Sequence, residues 1–200
     1  ALTSVGKQTY PHLEVIIVDD GSTATVNVPE HVCTRFPISL VRHNENYGLP
    51  AARNTGFRAA CGEFVFPLDA DDMLDHTALE KLWVLLHRHP KLGFAYSHSQ
   101  LFGEEEGVWE TQPYNLAYLL FTNHICAGSL IRKRAWEEVG GYDESMREGF
   151  EDWDFWLRLA ERGWYGVHLP EPLYFYRKHR ASMLTGSLRN YDRLFSRIRR

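Results

Sequence analysis

Cysteine is scarce in this sequence, and the few residues present are badly placed for a structural role. Cys33, Cys61 and Cys126 are odd in number, widely separated and form no C-x-x-C pair. That excludes a zinc ribbon or a disulfide framework, and they read as reduced core thiols of a cytoplasmic protein. Long apolar runs are missing too: none approaches the ~20 residues of a membrane span, and no signal-peptide pattern opens the chain. The composition of a disordered chain is equally absent, with 44% hydrophobic and 14% aromatic residues. Two hundred residues are enough for one domain with a single sizeable core. The first residue is Ala1 rather than Met, and Ala1 to Thr9 has helix-like composition, so the sequence reads as a piece that begins in mid-fold.

Charge is present but unevenly spread. The net charge is −4, yet from Arg177 onward eight cations face Asp192 alone, which leaves +7 there and −11 in the rest. A basic end on an acidic body points to an anion, either phosphates at a site or an anionic membrane surface. A solvated helix end is the plain alternative.

An acidic stretch, Asp69-Ala70-Asp71-Asp72, follows the apolar run Phe64-Val65-Phe66-Pro67-Leu68. The run reads as a buried strand with carboxylates at its carboxyl end, the end that faces the ligand crevice of an open α/β sheet. Crowded acids are costly unless something positive meets them. A hard divalent cation shared with substrate phosphates fits, and a capping turn for the helix near Asp75 is the simpler reading. A second strand, Leu13 to Val18, also ends in acids, Asp19-Asp20-Gly21-Ser22.

Other segments extend the strand and helix alternation. Ile38 to Val41 is a strand, Gly48 and Pro50 open a helix through about Cys61, and Asp75 to about His89 is a helix stopped by Pro90. Near-continuous apolar strands alternating with helices imply a mostly parallel sheet covered on both faces. After Gly93 come a strand at Phe94 to Ser97, a polar hairpin at Gly103 to Gly107, a short helix within Pro113 to Phe121 and a strand at Ile125 to Ile131. Glu151 to Arg162 is a heavily buried helix, and Leu169 to Tyr176, with two prolines, reads as edge strands or extended chain. Glu151-Asp152 at that helix start can cap it, or, walled by Trp153 and Trp156, can accept a proton from a hydroxyl group. Tyr176-Arg177-Lys178-His179-Arg180 carries the cations and imidazole that suit a diphosphate and a metal.

Five segments together resemble a known family. Val18-Asp19-Asp20-Gly21-Ser22, Ala52-Arg53-Asn54-Thr55-Gly56, Leu68-Asp69-Ala70-Asp71-Asp72, Gly149-Phe150-Glu151-Asp152-Trp153-Asp154 and Tyr176-Arg177-Lys178-His179-Arg180 occur in the order of family 2 glycosyltransferases with the GT-A fold. The resemblance runs from Gln8 to about Met183. It implies a Rossmann-like, mostly parallel central sheet flanked by helices with a smaller antiparallel, acceptor-side portion. It implies a domain over 1–183, without the family's first strand, and a basic helix or tail over 184–200.

It also implies roles. Asp20 would meet the nucleotide base with Asp19 beside it, Asp69 the ribose, and Asp71, helped by Asp69, a divalent Mn²⁺ or Mg²⁺ ion. Asp152 would be the general base, His179 would reach the metal or diphosphate, and Arg177 and Arg180 would neutralise the leaving group, with Arg53 a weaker donor contact. The expected reaction is single displacement with inversion, from a nucleoside-diphosphate sugar to a glycan or lipid-linked acceptor. No nucleic-acid partner is implied. The expected location is cytoplasmic, at the inner membrane face if Leu194, Phe195 and Ile198 form a membrane-surface helix.

Competing readings are weaker. A haloacid-dehalogenase-type phosphohydrolase lacks its later Lys, and a phosphoacceptor receiver lacks its solitary mid-chain Asp. A catalytically inactive nucleotide-sugar or carbohydrate-binding module of the same fold is the remaining alternative.

Overall fold

The computed structural model describes residues 1–180, 186–187 and 189–198. After a one-turn helix, Leu2–Val5 (α1), the β-branched runs Val15–Asp19 (β1) and Ile38–Arg42 (β2) pair in parallel, Asp19 opposite Arg42. Parallel neighbours need a long crossover, supplied here by the loop after Asp19 and the short helix Glu30–Cys33 (α2). Helix Leu49–Ala59 (α3) carries Pro50 in its first turn, where a missing N–H is harmless. It packs on β1, and Gly56 permits the approach, because a Cβ there would lie 3.3 Å from a Val18 methyl.

The remaining elements are Phe64–Val65 (β3), Met73–Leu74 (β4), Ala78–His87 (α4), Leu92–Gly103 (β5), Gly107–Trp109 (β6), Leu116–Leu119 (α5), Leu130–Arg132 (β7), Lys133–Glu138 (α6), Glu151–Glu161 (α7), Tyr165–Lys178 (β8) and Tyr191–Ile198 (α8). Their strands form a second sheet in the order β3-β7-β5-β8-β4, with β6 on β5. Alternate residues of β5 serve opposite faces, as the period of a strand requires. Phe94 and Tyr96 join a core with Trp153, Phe155, Trp156 and Leu159 of α7, whereas Ala95 joins Leu82 and Leu86 of α4. Phe94 stacks on Trp156 with ring centroids 4.5 Å apart.

The α/β architecture with helices on both faces is the expected one, and several details differ. The sheets are more mixed than mostly parallel: β1–β2 and β5–β8 run parallel, but β3–β7, β5–β7, β4–β8 and β5–β6 run antiparallel. The 64–68 run keeps only two residues in a ladder, because β3 is paired on one side alone. β8 is an interior strand and not an edge. Its prolines are tolerated where the β5–β8 register shifts between Ser97 and His98. Cys33 and Cys61 are exposed, so only Cys126 is a core thiol. The boundary expected at 183/184 lies outside the described residues. The apolar face of α8 is docked on its own domain: Leu194 is fully buried and Phe195 packs on Trp153. It is therefore not a free membrane-facing surface. Among the described residues no helix is long and apolar enough to cross a membrane.

β1 and β3 do not pair with each other. A cavity of about 1760 Å³ lies between Val15 to Val18 on one wall and Phe64 to Leu68 on the other, and Asp19, Asp20, Arg53 and Asp69 also line it.

Candidate active site

The carboxyl end of β1 presents two acids with different tasks. Asp19 is buried and accepts the Ser22 N–H at 2.8 Å, which holds its carboxyl below the usual range. Asp20 is held in place by the loop after β2. Burial works against its charge, but His43 Nδ1 at 2.7 Å and the Tyr47 and Gly48 N–H groups at 2.9 and 2.8 Å prevail and lower its pKa. Gly48 reaches this position with φ of 95°, which a side chain would strain. His43 in turn bonds Thr55 on α3 at 2.9 Å, so α3 and the two loops share one anchor.

Beyond β3 the chain turns, with the Asp72 N–H donated to the Asp69 carbonyl, and the three acids fan out to separate partners. Asp69 accepts from Arg53 Nη2 at 3.1 and 3.2 Å. Asp71 meets His179 Nε2 at 2.7 Å. Asp72 accepts from Tyr174 Oη at 2.5 Å and from the Arg177 N–H at 2.7 Å, yet burial still raises its pKa to about 6. Tyr174 reaches it past Gly128, where a Cβ would lie 2.2 Å from the ring. Arg177 Nε donates to the Asp71 carbonyl, whereas the Arg180 guanidinium is paired with Glu104 of the β5–β6 hairpin. The cost of crowding acids is thus offset largely within the chain. Among the described residues no three His, Cys, Asp or Glu side chains converge to hold an ion. Asp71 and His179 form a half-exposed pair, and Asp69 is turned to Arg53.

Arg53 joins this turn to α7. It is 8% exposed, and its Nη1 donates to Glu151 Oε1 at 2.7 Å while Nη2 serves Asp69. Its charge is stabilised despite burial, because two carboxylates outweigh desolvation. Next to Glu151, Asp152 is partly exposed and accepts from Asn123 Nδ2 at 3.1 Å and from the Trp153 N–H at 2.8 Å. Burial first, and then the Glu151 charge, push its pKa up to about 7. The α7 start is strained. Phe150 has φ of 64°, the only non-glycine with positive φ among the described residues, a conformation that costs about 1–3 kcal/mol and clusters at functional sites.

Sequence reasoning missed Asn123, His43 and the double grip of Arg53. Asn123 lies in a stretch without periodicity, and nothing in its surroundings signals a partner 29 residues away. His43 had a faint signal, as the head of a polar loop before a Gly-Pro helix start.

Comparison with known proteins gives the fold and the family. The fold is that of the GT-A glycosyltransferases. The chain superposes on S. aureus TarS in complex with UDP with a TM-score of 0.75, at 18% identity over 98% of this chain and 60% of that one. It superposes on the mannosyltransferase PcManGT from Pyrobaculum calidifontis, in complex with GDP-Man and Mn²⁺, with a TM-score of 0.68 at 19% identity over 94% and 55%. The model of glycosyl transferase family 2 matches residues 1–149, and the chain belongs to that family. A Haemophilus influenzae uncharacterized glycosyltransferase is 31% identical over 80% of this chain and 56% of its own length. The Mycobacterium tuberculosis pre-mycofactocin glycosyltransferase is 32% identical over 76% of this chain and 34% of its own. The chain thus spans well under two thirds of these relatives.

Proposed function

We propose that this chain is the catalytic domain of an inverting, metal-dependent glycosyltransferase that moves a sugar from a nucleoside diphosphate to an acceptor hydroxyl. The observation that carries this reading is Asp152. Its carboxylate is partly exposed, held by a neutral Asn123, and has a proton affinity near neutrality. That is what a general base working near pH 7 requires. The adjacent Glu151 is buried on Arg53 and is not free to compete.

The donor lies across the cavity that Asp19, Asp20, Arg53 and Asp69 line, with its base near Asp20 and its ribose near Asp69. Asp71 and His179, half-exposed and 2.7 Å apart, suit a hard cation that completes its shell with phosphate oxygens. When bound, Mn²⁺ or Mg²⁺ would supply positive charge to the departing diphosphate. Arg177, held beside Asp71, adds a fixed cation there. Asp152 takes the acceptor's proton as the hydroxyl attacks the anomeric carbon from the face opposite the leaving group. PcManGT with GDP-Man and Mn²⁺ and TarS with UDP support this type of donor. A glycan or lipid-linked acceptor is supported by exposed Leu120 and Phe121, on the loop that leads to Asn123.

The test is a thermal-shift titration with UDP, GDP, dTDP and CDP, each with and without Mn²⁺, followed by a donor-hydrolysis assay. A metal-dependent rise with one nucleotide, together with hydrolysis, supports the reading. A rise without hydrolysis or transfer would make the chain a nucleotide-sugar-binding module instead.

A further inference from the structure

Helix α8 does more than bury its own apolar side, because it touches the segments that surround Asp152. Arg193 grips the Glu148 carboxylate with both Nη atoms, Nη1 standing 2.8 Å from Oε1. Arg197 Nη2 donates to the Ser145 carbonyl at 3.1 Å and lies 2.8 Å from its hydroxyl oxygen. Just before the helix, the Ser187 hydroxyl donates to the Glu148 carbonyl at 2.7 Å. The Tyr191 ring stands edge-on to Phe150, with centroids 5.5 Å apart, and its hydroxyl lies 3.4 Å from the Phe121 carbonyl. Phe195 packs on Trp153 with centroids 5.1 Å apart.

These contacts bracket the groups that hold Asp152. Its two donors are Asn123, which follows Phe121 closely in the chain, and the N–H of Trp153, the residue that Phe195 covers. Trp153 Nε1 also donates to the Leu119 carbonyl at 2.7 Å, so α7 and the segment 119–123 form one frame around the carboxylate. The frame turns on Phe150, the N-cap of α7, which has φ of 64° and no side-chain cap bond. Such a conformation persists only where its surroundings hold it, and here the Phe150 ring is fixed against both Trp153 and Tyr191. The Phe150 carbonyl accepts the Asp154 N–H at 3.0 Å, so a rotation at Phe150 would carry the first turn of α7, and Asp152 with it.

We propose that α8 is a strap that aims the base: Tyr191 and Arg193 are positioning residues that keep Phe150 in its left-handed conformation and Asp152 turned toward the acceptor. This role rests on Asp152 being the base. A reacting group misplaced by ~1 Å can lose about 10²-fold in rate, so the strap acts on turnover. Donor binding is separate from it, since no residue of α8 lines the donor cavity.

The experiment compares Tyr191→Ala and Arg193→Glu with two rescues, Tyr191→Phe and Arg193→Glu combined with Glu148→Arg, all in the whole protein. Amide hydrogen exchange is followed by peptide, beside kcat, donor KM and the nucleotide thermal shift. In the two disruptive variants exchange should quicken about 10-fold over 119–123 and 145–154 and stay unchanged in β1 and β2. kcat should fall by about 10²-fold, with donor KM and the nucleotide shift as in the unaltered protein. Both rescues should restore exchange and kcat together. Unchanged exchange over 119–123 and 145–154, a uniform rise along the whole chain, or a kcat loss that the rescues leave in place would each overturn the strap. Failure of the base reading looks different: Asp152→Asn would then keep full transfer, whereas a failed strap leaves Asp152→Asn inactive.

Discussion

Asp20 and Asp152 are both partly buried carboxylates at the ends of secondary elements, and the structure treats them in opposite ways. Around Asp20 two backbone N–H groups and His43 overcome desolvation, so the group stays charged. Around Asp152 burial and the nearby Glu151 outweigh Arg53 and two hydrogen bonds, so the proton affinity rises. The lesson is that donor count and neighbouring charge, more than residue type, separate an acid suited to holding a ligand from one suited to taking a proton.

The strongest way to break this contrast is Asp152→Asn. We expect kcat to fall by about 10²–10⁴-fold, the usual worth of a positioned base, with nucleotide binding retained in the thermal-shift assay. Asp20→Asn should do the reverse, weakening nucleotide binding more than turnover. If the two variants had the same profile, the division of roles would fail.

Next in size is Arg53→Met, which leaves Glu151 buried without its partner. Removing one member of a buried pair costs about 3–5 kcal/mol, to be read as a lower denaturation midpoint. Adding Glu151→Gln should restore part of that loss. A double variant no better than the single one would mean that Glu151 is not the uncompensated charge.

The pH dependence sharpens the comparison further. Asp152 must be unprotonated to act, so log kcat should climb with pH and level off above about 7. Asn123→Ala removes a donor to the charged form and should move that inflection upward. The stability effect has the opposite sense. A folded pKa raised above 3.8 contributes stability that is fully present below that value and is lost as pH rises through about 7. Asp152→Asn should remove that part of the slope in chemical denaturation, and an unchanged slope would contradict the raised value. The smallest effect is expected for Asp71→Asn, whose half-exposed pair with His179 contributes about 0–1 kcal/mol to stability. Its consequence should appear instead as loss of the Mn²⁺-dependent part of the nucleotide shift.

The acids of the candidate site were legible as a group because they sit in short local patterns. Asp19-Asp20 after an apolar run, Asp69-Ala70-Asp71-Asp72 after another and Glu151-Asp152 at a helix start each carry their meaning within a few residues. The failures share a physical cause, which is partnership across the chain. The prolines of β8 suggested an edge, but the register shift that accommodates them depends on β5. Leu194 and Phe195 suggested a membrane face, but Trp153 of α7 covers Phe195.

The sequence by itself determined the alternation of strands and helices, the placement of acids at strand and helix ends, and the family, because hydrophobic period and turn residues act over a few positions. Only the tertiary structure decided which partner each acid meets. Arg53 had to fold against both Asp69 and Glu151, and Asn123 against Asp152, before one carboxylate could be held charged and another pushed toward neutrality. Desolvation and partner geometry are properties of the packed chain, and no local stretch of residues contains them.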